Sequence, residues 1–168
     1  MKLNKLLTTF ILFNLLFMLS ACGSNSNNNP VSASTEQNLS DTRQEGETEE
    51  VLRMKIGNAN VSVEWEENES VKALKEICKN KSLTISLHMY GGFEQVGSIG
   101  SRLPSNDKQI TTSSGDIVLY SSNQIVVFYG SNSWSYTKLG RITDKTDIEL
   151  QELLGNGNVT ITLFSGEQ

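Results

Sequence analysis

Two apolar runs near the middle of the chain constrain the fold most. Asp116 to Tyr120 and Gln124 to Tyr129 flank the short polar link Ser121-Ser122-Asn123. They read as a hairpin. Ile117, Val118, Leu119, Ile125, Val126, Val127 and Phe128 place apolar groups on both faces of that pair. A half-solvated sheet alternates polar and apolar residues, so a pair apolar on both sides must be covered twice. A small closed barrel meets that demand, and so does a sheet covered by a helix.

The flanking segments mostly repeat every second residue, which favours strands. Val51 to Ile56 and Val61 to Trp65 predict two strands around the turn Gly57-Asn58. Leu83, Ile85, Leu87 and Met89 alternate with Thr84, Ser86, His88 and Tyr90. That is the pattern of a half-buried strand. Gly91-Gly92 predicts a turn, Phe93 to Ile99 a further strand, and residues 100–114 a loop. Ser135 to Ile142 and Val159 to Phe164 complete the set. The period changes twice. Asn68 or Ser70 caps a helix to about Lys79, with Val71, Leu74, Ile77 and Cys78 on one face. Asp147 to Leu154 predicts a second helix stopped by Gly155, with Ile148 and either Leu150 or Leu153 inward. The expectation is about eight strands and two short helices, with the helices at the barrel ends.

The N-terminal region has a different character. Lys2 and Lys5 precede an apolar run from Leu6 to Leu19, broken by Thr8, Thr9 and Asn14. A basic head, an apolar middle and small residues at the end make an export signal. At ~1.5 Å per residue the run spans roughly 21 Å, short of a ~30 Å hydrocarbon core. Leu19-Ser20-Ala21-Cys22 resembles a bacterial lipobox. The resemblance implies a diacylglycerol thioether on Cys22 and cleavage before it. Residues 1–21 are then signal, residues 22–50 a lipidated tether and residues 51–168 a globular domain. The tether is polar and acidic, contains no aromatic residue, and buries too little to offset its chain entropy. As a flexible coil it spans ~29 Å. The domain is expected on the extracytoplasmic side of a cell membrane.

Charge and cysteine content exclude several classes. The formal charge of −5 becomes −7 once Lys2 and Lys5 leave with the signal. Nucleic acid and anionic membrane surfaces are poor partners for such a chain, so attachment falls to the lipid on Cys22. With Cys22 used, Cys78 stands alone, and no internal disulfide is available. A buried inert thiol is the expectation for it, against a reactive one. One histidine and one thiol do not make a zinc site, so no metal or cofactor is expected. No Gly-x-Ser-x-Gly elbow accompanies His88, which reads as a surface or edge residue. Gly91, Gly92, Gly97 and Gly100 are spaced as turn glycines, not as a phosphate cradle.

Several stretches in order along residues 54–164 resemble a bacterial cyclophilin-like family. They are Tyr90-Gly-Gly-Phe-Glu-Gln-Val-Gly-Ser-Ile-Gly-Ser-Arg-Leu-Pro104 and Thr112-Ser-Ser-Gly-Asp-Ile-Val-Leu-Tyr120. The others are Phe128-Tyr-Gly-Ser-Asn-Ser-Trp-Ser-Tyr-Thr-Lys-Leu-Gly-Arg-Ile142 and Gly155-Asn-Gly-Asn-Val-Thr-Ile-Thr-Leu163. The resemblance implies a mainly β fold, a closed eight-stranded cyclophilin-like β-barrel with two short helices. True cyclophilins carry a Phe-His-Arg stretch and a Gln-Gly-Gly-Asp stretch for prolyl isomerisation. Neither occurs here, and Arg102 and Arg141 stand in other contexts. The isomerase chemistry therefore does not follow from the fold.

The candidate site is a set of binding residues with no catalytic residue assigned. Asn132, Trp134 and Tyr136 join an amide, an indole and a phenol in a loop leading into a strand. Phe93 and Glu94 belong to a second family-like loop and are expected beside them at one rim of the barrel. The competing reading has Trp134 plugging a barrel end and Asn132 bonding loop backbone. Glu94 and Asp116 are the family-matched acids, with Asp116 expected to bond turn amides. Two functions follow: a tethered module holding a peptide or small ligand, or a divergent peptidyl-prolyl isomerase acting on exported chains. The missing arginine motif favours the first. A third is a structural part of an envelope assembly.

Overall fold

The computed structural model of the chain describes residues 50–167. The expected lipobox at Cys22 and the expected tether, up to residue 49, lie outside the described residues. Ten strands and two helices follow one another. They are β1 (Glu50–Ile56), β2 (Ala59–Val61), β3 (Val63–Trp65), α1 (Glu69–Cys78), β4 (Leu83–Tyr90) and β5 (Glu94–Ser98). Then come β6 (Lys108–Thr111), β7 (Asp116–Tyr120), β8 (Gln124–Phe128), β9 (Ser133–Ile142), α2 (Asp147–Leu154) and β10 (Val159–Glu167).

The sheet runs β2-β1-β10-β4-β5-β8-β7-β9-β3, and β6 pairs with β9 off this path. Its two ends, β2 and β3, are consecutive in sequence and separated only by Ser62. The segment predicted as a single strand from Val61 to Trp65 thus breaks at Ser62 and bridges the first and last positions of the sheet. The break is satisfied locally. The Ser62 amide donates to Asp144 Oδ1 at 2.9 Å, and the Ser62 carbonyl accepts from the Thr143 amide at 2.9 Å. Trp65 Nε1 reaches across the seam to the Leu52 carbonyl at 2.7 Å. Counted by position, the nearly closed ring has eight places, with β2 and β3 sharing one. The tenth strand, β6, lies outside the ring. It falls in residues 100–114, where the sequence predicts loop, and it exists because the N-terminal half of β9 offers it an edge. Lys108 to Thr111 pair with Tyr136 to Ser133.

Side chains alternate between two apolar clusters. Ile117, Leu119, Ile125, Val127 and Leu139 point into the barrel and join Ile85, Leu87, Ile161 and Leu163 there. Val71, Leu74 and Cys78 of α1, and Leu150 and Leu154 of α2, bury into the same inner cluster. The Asn68 side chain accepts from the Val71 amide, so the first helix is capped at the earlier of the two predicted positions. Thr146 and Glu149 form a reciprocal capping box on α2. Ile148, predicted inward, is instead 73% exposed, because Leu150 and Leu154, four apart, define the buried stripe. Cys78 is buried, and desolvation pushes its thiol up from the ordinary value. His88 is exposed on β4. Among the described residues, no helix is long and apolar enough to cross a membrane.

Val118, Val126, Phe128 and Tyr136 form the second cluster, with Phe93, Val96, Ile110 and Tyr120 packed against it. Val96, Val118, Tyr120, Val126 and Phe128 lie on the opposite face of β5, β7 and β8, while Ile110 and Tyr136 come from β6 and β9. The two-sided apolar hairpin thus finds its second cover in the ribbon of β6 and β9, laid on the outer wall of the barrel.

Candidate functional site

The register of the outer wall determines which side chains meet. Glu94 pairs with Phe128, Val96 with Val126, and Tyr90 with Glu94. Val118 pairs with Val126 and Tyr120 with Gln124. These positions are the outward-facing half of a period-two pattern. The wall does not lie flush under the β6–β9 ribbon. A concavity of about 460 Å3 remains, lined by Tyr90, Glu94, Val96, Tyr120, Gln124, Val126, Asn132, Trp134 and Tyr136.

Four of the five predicted site residues are brought together here: Glu94, Asn132, Trp134 and Tyr136. They meet on the barrel's flank, not at a rim formed by loops. Phe93 is not brought to the concavity. Its ring lies against Gly91 and its Cβ against Gly130, and a side chain at either glycine would clash with it. Its carbonyl accepts from the Tyr129 and Gly130 amides, each at 3.0 Å. Phe93 thereby ties the start of β5 to the end of β8, and its ring packs against the outer cluster.

Trp134 is 55% exposed and Tyr90 68% exposed. Trp134 therefore plugs nothing. Asn132 is spent on structure: its Oδ1 accepts from the Ser133 amide at 2.8 Å and its Nδ2 donates to the Tyr136 hydroxyl at 3.0 Å. Its backbone is held on both sides by Thr112. Tyr136 packs edge-on against Tyr120 and Phe128, with ring centroids 6.0 and 5.8 Å away. Burial, and then the nearby Glu94, push its phenol above the ordinary value, while the bond from Asn132 works the other way.

Glu94 is the unusual group. It is only 5% exposed, and its Oε2 has no hydrogen-bond partner among the described residues. Burial raises its carboxyl above the usual carboxylate range. The other family-matched acid behaves differently. Asp116 accepts from the Ser113 amide and from Arg141 Nη1, at 2.7 and 2.9 Å, so it closes a turn as expected. The larger concavity of about 780 Å3 beside β1 to β3 contains no such orphan. There Lys55 sits over the Phe164 ring, and Asp144 is engaged by Ser62 and Lys145. Among the described residues no cluster of three or more His, Cys, Asp or Glu could hold a metal ion.

Sequence reasoning missed Tyr90, Val96, Tyr120, Gln124 and Val126 as lining residues. For Tyr120, Gln124 and Val126 the signal was present in the period of two of the hairpin, since positions 118, 120, 124, 126 and 128 share its outer face.

Residues 54–163 match the family model described as the cyclophilin-like family. No curated protein matches the chain. Among solved structures, the solution structure of a hypothetical protein from Archaeoglobus fulgidus is similar at 17% identity. That likeness covers 71% of this chain and 98% of the other, with a TM-score of 0.49.

Proposed function

The chain belongs to the cyclophilin-like family, and we propose that its barrel is a binding module that holds a peptide or small ligand on its outer wall. One observation carries this reading. Two large aromatic side chains, Trp134 and Tyr90, stay exposed beside a buried carboxylate, Glu94, whose Oε2 has no partner among the described residues. A fold gains nothing from such a combination, because an unsatisfied buried polar atom costs stability and exposed rings bury no area. A ligand that fills the concavity satisfies both. The isomerase motifs of true cyclophilins are missing from the sequence, so binding is favoured over catalysis. The export signal and the lipobox at Cys22 support a lipid-anchored location with the barrel outside the cytoplasm.

The test is an amide NMR titration of the full chain with short peptides, proline-containing ones included, and with small molecules. Shifts should cluster on Glu94, Val96, Val126 and Trp134. Uncatalysed prolyl isomerisation takes roughly 10–100 s, so even modest catalysis is visible in a protease-coupled assay. A rate rising in proportion to protein would replace the binding module with an enzyme. Shifts scattered away from this wall would remove the site.

A further inference from the structure

We propose that the concavity takes an organic cation, an ammonium or guanidinium group, seated against the Glu94 carboxylate and the surrounding aromatic rings. The inference rests on the reading of this concavity as a ligand site and names the chemistry of the ligand.

Four rings line the space: Tyr90, Tyr120, Trp134 and Tyr136. Aromatic faces carry negative quadrupole charge and attract a cation, most strongly where water is excluded. Glu94 supplies the only acidic side chain among the lining residues, and no Lys, Arg or His is among them. None of the ion pairs found among the described residues uses Glu94. The carboxylate of a ligand, or its phosphate, would therefore face Glu94 without a counter-charge. A neutral apolar ligand would leave Glu94 Oε2 buried and unpaired. Of the two lining amides, Asn132 is bonded at both ends, which leaves Gln124 alone to read a neutral polar ligand. A cation resolves all of these at once. It pairs the orphan carboxylate, faces the rings and meets no opposing charge. The volume of about 460 Å3 suits a single basic side chain or a small amine better than a long peptide. The acidic balance of the chain, −5 overall, attracts cations at longer range.

The chain contains two tryptophans. The Trp65 indole is tied to the Leu52 carbonyl at the barrel seam and is the internal reference, while the Trp134 indole lines the concavity. The full chain is titrated with N-acetyl-lysine methylamide, N-acetyl-arginine methylamide and butylamine. The neutral isostere N-acetyl-norleucine methylamide is the comparison. The Trp134 indole N–H signal should move with the charged probes, at an affinity at least about tenfold above the isostere. Tighter binding of the two amino-acid derivatives than of butylamine supports a basic side chain of a peptide, and the reverse a free amine. Glu94→Gln, which keeps the shape and removes the charge, should erase the preference while still binding the isostere. Movement of Trp134 with equal affinity for charged and neutral probes would overturn the cation and keep the ligand site. A Trp134 signal that no probe moves, neutral peptides included, would overturn both.

Discussion

Asn132 donates through Nδ2 to the hydroxyl of Tyr136 at 3.0 Å, while its Oδ1 accepts from the amide of the residue that follows it. One amide thereby locks the entry to β9 and orients the phenol that packs against Tyr120 and Phe128. Its part in the concavity is to position Tyr136. Asn132→Ala removes both bonds, and at ~0.5–1.5 kcal/mol for each it should cost about 1–3 kcal/mol in urea unfolding. It should also raise the Tyr136 phenol further, because the bond from Asn132 is what lowers it. An NMR titration of carbon-labelled tyrosine reads that shift. An unchanged Tyr136 titration would mean that the bond does not hold in solution.

Trp134→Ala should be mild. A core tryptophan truncated to alanine typically costs ~3–5 kcal/mol. Trp134 is more than half exposed and packs on the ribbon rather than in either cluster. A loss of about 1 kcal/mol or less is expected. Urea midpoints of wild type and variant decide it, and a loss of several kcal/mol would make Trp134 a packing residue.

Glu94 should make stability depend on pH in an unusual direction. Burial raises its folded-state carboxyl above the usual range. At low pH both folded and unfolded chains carry the proton, and Glu94 costs nothing as a charge. As pH rises through the window between the ordinary and the raised value, the unfolded chain releases its proton first. Stability therefore falls with rising pH, and the penalty is complete above the folded-state value. The titratable groups nearby are the phenols of Tyr90, Tyr120, Tyr129 and Tyr136, together with His88, which pairs with Val96 on β4. Glu94→Gln removes the titration. It should match wild type most closely at about pH 4 and exceed it at about pH 8. A stability difference that is flat across this range, or that shrinks as pH rises, would contradict the direction.

Cys22→Ala should abolish lipid attachment and release the protein from membranes, because an acidic chain has little other affinity for them. Metabolic labelling with a fatty-acid analogue checks this. Equal label in wild type and variant would dismiss the lipobox.

Much of the ring was readable before any coordinates. Alternation marks β1, β4 and β10, the continuous apolar runs mark β7 and β8, the change of period marks both helices, and Asn68 announces the first cap. These signals are local: a few neighbouring residues set backbone preference and face. Apolar residues on both sides of the β7–β8 hairpin also announced that its outer face is covered. What covers it could not be read that way. The segment of β6, Lys108 to Thr111, has only Ile110 as a large apolar residue, and it becomes a strand because the end of β9 leaves an edge open for it. The break at Ser62 follows equally from closure, since one short segment must serve both ends of the sheet. Phe93 and Glu94 are adjacent in sequence, yet the first packs against Gly91 and Gly130 and the second lines the concavity. Tyr90 and Trp134 are far apart in the chain and become neighbours only because β4, β5 and β8 stand in that order under the ribbon. Sequence determined most of the elements and the faces they present. Tertiary pairing alone decided which outward-facing side chains share a space, because that depends on contacts between residues whose separation along the chain carries no local signal.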